Sequence, residues 1–368
     1  MGMTMIRKLL AAAVAVIAGG TVAVVLHPST ATADRRAEDP IVIAHRGASA
    51  IRPEHTLLAY EAAIALGADY IEPDLVSTKD GVLVARHENE ISQTTDVENH
   101  PEFAGRRTTK TIDGAAITGW FTEDFTLAEL RTLRAEERIP DIRPANTAFN
   151  GLAQIPTLDE VVQLAQRHGV GVYPETKHPT YFDSIGLSLE EPLLAGLARR
   201  GWRDQRDPVI IQSFETGNLR DLSRRTKVRL AQLVNASGAP YDRVAAGDPL
   251  TYDRMVTPAG LRDIAGYADG VGVANARIIP TGPDGRTLAP TTLVRDAHRA
   301  GLIVHAWTVR PENSQLPVDH RLGDPNSPAY AGATGDVMGY LNKLYDTGLD
   351  GVFSDDPGIA RATLAARD

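Results

Sequence analysis

Short apolar runs rich in β-branched residues alternate with amphipathic helical patterns along most of this 368-residue chain. This alternation is typical of a parallel sheet whose strands are joined by crossover helices. Strands are predicted at Ile41–His45, Tyr70–Leu75, Gly171–Lys177, Val209–Phe214, Val228–Val234, Gly270–Ala274, Ile303–Val309 and Gly351–Ser354. Helices are predicted between them, for example at Thr56–Leu66, Leu158–Arg167, Thr216–Arg225, Thr291–Arg299 and Val337–Tyr345. Because this is the strand count of a closed (β/α)8 barrel, we predict an α/β fold of the TIM-barrel type.

Two features depart from the regular alternation. Val82–His87 follows the second strand after only a short turn, Thr78–Gly81, which predicts an added antiparallel hairpin strand. The polar segment Asn89–Ile155 contains one predicted helix, Leu127–Arg134, and is interpreted as an insertion that replaces the second barrel helix. A second long loop, Pro311–Asp336, follows strand seven. We therefore predict a distorted barrel with both long segments on the top face, where such barrels carry their chemistry.

The N-terminal segment has the order of a secretory signal peptide. Arg7 and Lys8 precede the apolar run Leu9–Leu26, and a small-residue site follows, with cleavage predicted after Ala33. An uncleaved membrane anchor is the alternative, because the apolar run is long. Residues 34–368 are predicted to form a single catalytic barrel domain with no later spanning segment. Such a protein would be exported to a periplasm or the medium.

Charge and cysteine content exclude several classes of function. The formal net charge is −9, without a Lys/Arg-rich run, so nucleic acid is a poor candidate for a partner. The absence of cysteine excludes disulfides, thiolate nucleophiles and sulfur-ligated zinc. Any phosphate chemistry must therefore come from a local site. No pattern in the chain predicts an oligomeric state.

Carboxylates recur at the ends of two predicted strands. Glu72 and Asp74 lie two residues apart on strand two, and Glu175 lies on strand three with Lys177 two residues further on. Alternate strand residues share one face, so these side chains are expected to point into the barrel mouth together. Oxygen-only ligands favour one hard cation, Ca²⁺ or Mg²⁺. Ion pairing with Arg or Lys, for example between Lys177 and Glu175, is the structural alternative. Pro73 is interpreted as the fraying upper end of strand two.

Two histidines and an arginine occupy neighbouring strand ends. Strand one ends in His45, Arg46 and Gly47, and His87 ends the hairpin strand. A lone histidine is more often a structural hydrogen-bonding group. Together, however, His45 and His87 could form an acid–base pair, with Arg46 placed for an oxyanion.

The ordered set of motifs resembles the glycerophosphodiester phosphodiesterase family, in particular its secreted bacterial branch. The motifs are His45–Ser49, Arg52–Thr56, Glu72-x-Asp74, Thr78–Gly81, His87, Pro174–Lys177, Gln212–Phe214, His305–Thr308 and Asp350–Asp355. They span about Ile41 to Pro357. Departures are Pro73, where an apolar residue is usual, and His55, where Asn is common.

This resemblance implies a distorted barrel with one bound Ca²⁺ or Mg²⁺. It assigns Glu72, Asp74 and Glu175 as metal ligands, His45 and His87 as the acid–base pair, and Arg46 and Lys177 as phosphate-binding residues. Phe214 and Trp307 would wall a glycerol pocket, or equally be barrel-core aromatics.

The implied activity is hydrolysis of small glycerophosphodiesters to glycerol 3-phosphate and an alcohol, through attack by the substrate's own 2-hydroxyl and a cyclic phosphate. Two alternatives remain at this stage. A lysophospholipase D or sphingomyelinase D-like activity would need an apolar groove, which the polar loops do not favour. A non-catalytic exported module that binds phosphorylated ligands would not need both histidines.

Overall fold

The α/β barrel predicted from the alternation is confirmed in the computed structural model, which describes residues 39–367. The predicted signal peptide, residues 1–33, lies outside the described residues. The strands are β1 (Ile41–His45), β2 (Tyr70–Glu72), β3 (Asp74–Ser77), β4 (Leu83–Ala85), β5 (Thr108–Ile112), β6 (Ala115–Gly119), β7 (Gly171–Val172), β8 (Glu175–Thr176), β9 (Ile210–Ser213), β10 (Arg229–Val234), β11 (Gly270–Ala274), β12 (Ile303–Val309) and β13 (Gly351–Ser354). The α-helices are α1 (Leu57–Ala65), α2 (Leu127–Leu130), α3 (Leu158–His168), α4 (Pro179–Ser184), α5 (Glu190–Arg199), α6 (Thr216–Arg225), α7 (Tyr241–Ala245), α8 (Tyr252–Met255), α9 (Pro258–Ile264), α10 (Asn275–Ile278), α11 (Leu293–Arg299), α12 (Val337–Tyr345) and α13 (Pro357–Ala365).

The parallel strands close into a ring. β1 pairs with β2 on one side and with β13 on the other. β2 pairs with β7, β3 pairs with β8, and the ladder continues from β8 through β9, β10, β11 and β12 to β13. Barrel strand two thus consists of β2 and β3, and barrel strand three of β7 and β8. Within residues 39–367 this makes the eight strands that a closed barrel requires.

Prolines divide barrel strands two and three. The interpretation of Pro73 as the fraying end of its strand is wrong, because β3 resumes at Asp74 and pairs with both β8 and β4. The Pro73 carbonyl still accepts a hydrogen bond from the Glu175 N–H at 2.9 Å. Pro174 likewise accepts from the Gln212 N–H at 2.9 Å. Proline removes only the donor of a ladder position, so the sheet continues around both interruptions.

The polar insertion after β4 holds more regular structure than predicted. β4 is antiparallel to β3, as the short turn predicts. The predicted helix Leu127–Arg134 ends at Leu130. An antiparallel hairpin of β5 and β6 was missed, although its turn residues Asp113 (φ +48°) and Gly114 (φ +81°) form a recognisable two-residue hairpin signal. The insertion also precedes the second barrel helix and does not replace it, because α3 lies between the insertion and β7.

Hydroxyl caps begin the helices where the sequence predicts them. The Thr56 hydroxyl accepts from the Ala59 N–H at 3.0 Å, and Thr157 forms a reciprocal capping box with Glu160. Gly169 ends α3 in the left-handed conformation at φ +68°. None of the helices in residues 39–367 combines the length and apolar character needed to cross a membrane.

The two-residue period of the strands sorts side chains into two cores. On β1, Val42 and Ala44 pack outward against the helices, whereas Ile43 packs inside the barrel with Tyr173 and Phe353. Because alternate residues share a face, His45 at the end of β1 points to the same side as Ile43. The barrel interior is therefore filled below by apolar side chains and carries polar groups at its mouth.

The turn after β1 depends on a glycine. Gly47 has φ +89°, and a Cβ placed there would lie 2.7 Å from Ala59 on α1. The Ala48 N–H donates to the Ala59 carbonyl at 2.9 Å, which holds this turn against α1. A side chain at this position would therefore push α1 away from the strand end that carries His45.

We predict that Gly47→Ala lowers the melting temperature more than Gly81→Ala. Gly81 also has positive φ (+76°) but has open space around its Cβ position. Both variants place an L-residue in the left-handed region, at a cost of about 1–2 kcal/mol. Only Gly47→Ala adds overlap with a packed helix, which typically costs about 1–3 kcal/mol more. Thermal unfolding followed by circular dichroism measures the difference, and equal melting temperatures would contradict it.

Candidate active site

The carboxyl ends of the barrel strands enclose a cleft of about 90 Å³. Its lining residues are His45, Arg46, Glu72, Asp74, His87, Glu175, Gln212, Phe214, Leu233, Trp307, Thr308, Arg310 and Phe353. All the candidate residues predicted from the sequence lie in this lining except Lys177. Lys177 is also close, because its Nζ lies 3.0 Å from Glu175 Oε1.

Three buried carboxylates converge in the cleft. Glu72 ends β2, Asp74 begins β3, and Glu175 begins β8 directly opposite Asp74 in the parallel ladder. One carboxylate oxygen from each of the three side chains lies within 4.8 Å of the other two, and each residue is at most 6% exposed. The even spacing along the strands predicts this convergence, and the barrel register brings the two strands to the same height.

The carboxylates perturb one another's protonation. Burial, with the negative charges of Asp74 and Glu175, raises the pKa of Glu72 well above its usual range. Burial raises the pKa of Glu175 to about 8. The positive charge of Lys177 opposes this shift, and the negative charge of Asp74 adds to it. Burial also acts to raise the pKa of Asp74, but Lys177, His55 and His87 outweigh it and hold that pKa well below its usual range. The raised pKa values of Glu72 and Glu175 indicate that the neighbouring cationic side chains do not fully compensate the negative charge of the three carboxylates.

A divalent cation fits this donor set. Three carboxylates offer only oxygen ligands, which suit hard ions such as Ca²⁺ and Mg²⁺ better than zinc. A cation among them would relieve the mutual repulsion that raises the pKa values of Glu72 and Glu175. The geometry thus suits a metal, and the donor chemistry fits Ca²⁺ and Mg²⁺ alike.

Two cationic side chains border the carboxylates. Arg46, in the left-handed conformation at φ +60°, donates its N–H to Glu72 Oε2 at 2.8 Å and its Nη1 to Glu54 Oε2 at 3.1 Å. Its Nε is buried, lies 3.3 Å from Asp74 Oδ2 and makes no hydrogen bond. Lys177 pairs with Glu175, as the structural alternative for it predicted. This pairing still leaves its ammonium at the rim of the carboxylate cluster.

Each of the two predicted histidines is bonded through Nδ1 to a carboxylate. His45 Nδ1 lies 2.6 Å from Asp355 Oδ1, and His87 Nδ1 bonds to Glu88 Oε1. An ionised carboxylate can only accept, so Nδ1 donates in both pairs and Nε2 is the nitrogen able to accept a proton. Burial and the charge of Arg46 lower the pKa of His45 to about 4, and the same two causes with Lys177 lower the pKa of His87 to about 3. Both imidazoles are therefore neutral near pH 7.

His55, noted in the sequence only as a departure from the family pattern, lies directly behind a carboxylate. It is fully buried, with Nε2 2.9 Å from Asp74 Oδ2 and Nδ1 2.8 Å from the Tyr60 hydroxyl. The His55 backbone has φ +52°, and its N–H donates to the Arg46 carbonyl at 3.0 Å. His55 therefore lies in the turn that packs beneath the carboxylates. The ring therefore holds one oxygen of Asp74 in place.

Aromatic and polar side chains complete the cleft. Phe214 and Trp307 meet with ring centroids 5.6 Å apart and planes at 88°. Sequence reasoning did not assign Gln212, which donates to Glu72 Oε1 at 3.2 Å, or Arg310, whose Nε lies 3.4 Å from Asp355 Oδ2. Asp355 and Arg310 directly follow barrel strands, so the rule that strand ends carry the site could have found both.

A second, wider cavity of about 410 Å³ adjoins the cleft. Glu175 and Phe214 line both cavities, so they form the wall between them. The wider cavity is bordered by Lys177 and by residues of several βα connections, among them Tyr252 of α8. It provides room next to the cleft for part of a larger ligand.

Comparisons with known proteins agree on one family. The profile of the "Glycerophosphoryl diester phosphodiesterase family" matches residues 45–359. A glycerophosphodiester phosphodiesterase of Arabidopsis thaliana is 34% identical over 87% of this chain and 84% of its own. One from Haemophilus influenzae is 28% identical over 95% and 97%.

Solved structures share the fold. A glycerophosphodiester phosphodiesterase from Agrobacterium tumefaciens, 19% identical, superposes with a TM-score of 0.55 over 88% of this chain and 99% of its own. An Oleispira antarctica phosphodiesterase in complex with the product sn-glycerol-3-phosphate, 22% identical, gives 0.57 over 89% and 97%. With the family profile spanning most of the barrel, the chain belongs to the glycerophosphoryl diester phosphodiesterase family of phosphoric diester hydrolases.

Proposed function

We propose that the protein hydrolyses small glycerophosphodiesters, such as deacylated phospholipids, to glycerol 3-phosphate and an alcohol. The observation that carries this proposal is a single cleft in which three buried carboxylates lie within 4.8 Å of one another beside His45 and His87. The sn-glycerol-3-phosphate bound as product in the Oleispira antarctica phosphodiesterase supports it. The small cleft suits a compact glycerol moiety, and the largely polar loops Asn89–Ile155 and Pro311–Asp336 do not favour an acyl chain.

Glu72, Asp74 and Glu175 would hold one Ca²⁺ or Mg²⁺. When bound, this ion neutralises charge on the phosphoryl oxygens. Arg46 and Lys177, which flank the carboxylates, would bind the remaining phosphate charge. This local positive charge is needed because the chain as a whole, at −9, repels anions. Phe214 and Trp307 would contact the carbon chain of glycerol through their ring faces and edges.

His45 and His87 would exchange protons with the substrate. One neutral imidazole takes the proton of the glycerol 2-hydroxyl as its oxygen attacks phosphorus, and the other, protonated, gives a proton to the leaving alcohol oxygen. The negative phosphate favours the protonated form of a nearby imidazole. A five-membered cyclic phosphate results, and water opens it with the proton roles reversed. The intramolecular attack benefits from proximity.

A head-group panel tests the substrate class. We expect purified protein with Ca²⁺ or Mg²⁺ to release glycerol 3-phosphate from glycerophosphocholine and to leave lysophosphatidylcholine intact. Preferential cleavage of lysophosphatidylcholine would instead favour a lysophospholipase D-like activity. Binding of the diester without release of glycerol 3-phosphate would favour a non-catalytic binding module.

Replacing either histidine should remove an acid–base group. We expect His45→Ala and His87→Ala each to lower kcat by roughly 10²–10⁴-fold, the usual contribution of such a group. His168→Ala, at the exposed end of α3, is the matched control and should keep wild-type turnover. Steady-state kinetics with unchanged circular dichroism spectra measure the effect. Wild-type turnover in either active-site variant would exclude its role.

Cation binding should compete with protons. Because the pKa of Glu175 is raised to about 8, a cation binding near pH 7 must displace protons, so affinity should rise as pH increases towards 8. Glu175→Gln should weaken binding at least about 10-fold. Glu215→Gln, a buried carboxyl of the adjoining cavity, is the control and should bind normally. Calorimetric titration of chelator-treated protein measures both, and equal affinities in the two variants would refute the ligand assignment.

We also propose that the protein is exported and cleaved after Ala33. The basic, apolar and small-residue order of the N-terminal segment supports this. N-terminal sequencing of the protein recovered outside the cytoplasm tests it. A mature chain that retains Arg7 and Lys8 would indicate an uncleaved anchor.

A further inference from the structure

Both active-site histidines are linked through a carboxylate to an arginine of the insertion. For His45 the link is Asp355: its Oδ1 accepts from His45 Nδ1 at 2.6 Å, and its Oδ2 accepts from Arg143 Nη2 at 2.5 Å. Asp355 is 2% exposed, and the side chain of Arg143 is 7% exposed. The pair is therefore shielded from water. Charge-assisted hydrogen bonds are strongest in such a shielded environment.

The second link repeats this arrangement at His87. Glu88 accepts from His87 Nδ1 through one carboxylate oxygen and from Arg138 Nη2 through the other, at 2.7 Å. Arg138 also donates to both oxygens of Glu54, at 2.6 and 2.9 Å, and Glu54 in turn pairs with Arg46. Arg138 thus reaches His87 and the phosphate-binding arginine through two different carboxylates.

Arg138 and Arg143 come from one short stretch, residues 138–143, which no barrel strand or helix contains. Arg143 additionally binds Glu312, in the loop after β12, with Nε at 2.5 Å, and the Ser49 carbonyl, in the turn after β1, at 2.8 Å. The insertion, the loop after β12 and the turn after β1 therefore meet at one guanidinium.

We propose that Arg138 and Arg143 are positioning residues that hold the two active-site histidines in their reactive orientation, so that the insertion is a working part of the catalytic apparatus. The proposal rests on the hydrolysis proposed above. Each arginine acts through a carboxylate, and neither needs to touch the substrate.

The physical reason lies in the carboxylates. A carboxylate that bonds to Nδ1 selects one tautomer and leaves Nε2 free to accept a proton. The second oxygen, bonded to a guanidinium, fixes the rotation of the carboxylate and keeps it ionised. Accordingly, although burial acts to raise them, the pKa values of Asp355 and Glu88 are held below their usual range, with Arg143 and Arg138 among the causes. Without its arginine each carboxylate would lose the hydrogen bond on its second oxygen and could rotate, and its imidazole would lose its orientation. Arg310, whose Nε lies 3.4 Å from Asp355 Oδ2, still supplies charge there but makes no hydrogen bond to Asp355.

We expect Arg143→Gln and Arg138→Gln each to lower kcat by about 10–100-fold, the effect of losing a supporting hydrogen bond behind a reacting group, with a smaller change in KM. For Arg143 the conservative variant Arg143→Lys should recover part of the loss, because it keeps the charge but not the two-pronged geometry. Arg131→Gln is the matched control: it removes an ion pair that joins the insertion to Glu160 on α3 without reaching either histidine. It should leave kcat unchanged.

Double variants separate positioning from a general loss of structure. If Arg143 acts through Asp355, Arg143→Gln should lower kcat in the wild-type protein but have little further effect in an Asp355→Asn background. In a Glu88→Gln background, Arg138→Gln should likewise lose the part of its kcat effect that passes through Glu88, whereas the part that passes through Glu54 and Arg46 should persist. Equal fold-losses in both backgrounds would overturn the proposal, as would an effect confined to KM.

Nitrogen NMR of the histidine rings gives a readout that does not need turnover. The wild-type protein should show His45 with its proton on Nδ1, and Arg143→Gln should show a mixture of tautomers, whereas Arg131→Gln should match wild type. An unchanged His45 tautomer in Arg143→Gln would overturn the positioning role. If the wild-type protein proved inactive on every glycerophosphodiester, the proposed function would fail while this spectrum still tested the link. Should Arg143→Gln not fold, Arg143→Lys carries the same comparison.

Discussion

The mutual repulsion of Glu72, Asp74 and Glu175 is the constraint around which the barrel mouth is organised. The parallel pairing of Asp74 with Glu175 holds the carboxylates in place, and that pairing survives because Pro73 still accepts a ladder bond. In a site shielded from water such charges interact far more strongly than at the surface. The surrounding cations and hydrogen-bond donors are therefore needed for these buried carboxylates to be accommodated in the fold.

The compensating groups spread outward in a connected network. Lys177 pairs with Glu175. Arg46 donates its backbone N–H to Glu72, and its Nε approaches Asp74. Arg46 is itself buried, and its charge is compensated by an ion pair with Glu54. Glu54 is in turn paired with Arg138 from the insertion. Each buried charge thus requires the next, since an unpaired ion in the interior is costly. The chain of pairs reaches the surface at the insertion, which explains why a polar segment packs so closely over an acidic site.

The strand ends were the part of the site that the sequence predicts best. A two-residue period and a barrel topology suffice to place His45, Glu72 and Glu175 at one rim, and composition suffices to favour a hard cation over zinc. The insertion was predicted less well. Its hairpin β5–β6 was missed despite an Asp-Gly turn. The insertion was predicted only as a polar segment on the top face, because nothing local in residues 138–143 marks them as contacts of a distant site.

By itself the sequence determined the alternation that closes into a barrel, the face on which each strand-end side chain lies, and the oxygen-only character of the candidate ligand set, since these follow from local periodicity and residue chemistry. Only the tertiary structure decided which carboxylate supports which histidine. His45 and Asp355 are 310 residues apart and meet because β13 closes the ring beside β1. Arg143 and Asp355, 212 residues apart, meet because the insertion folds back over the same rim. Contacts of this kind depend on ring closure and loop packing, which no local pattern encodes.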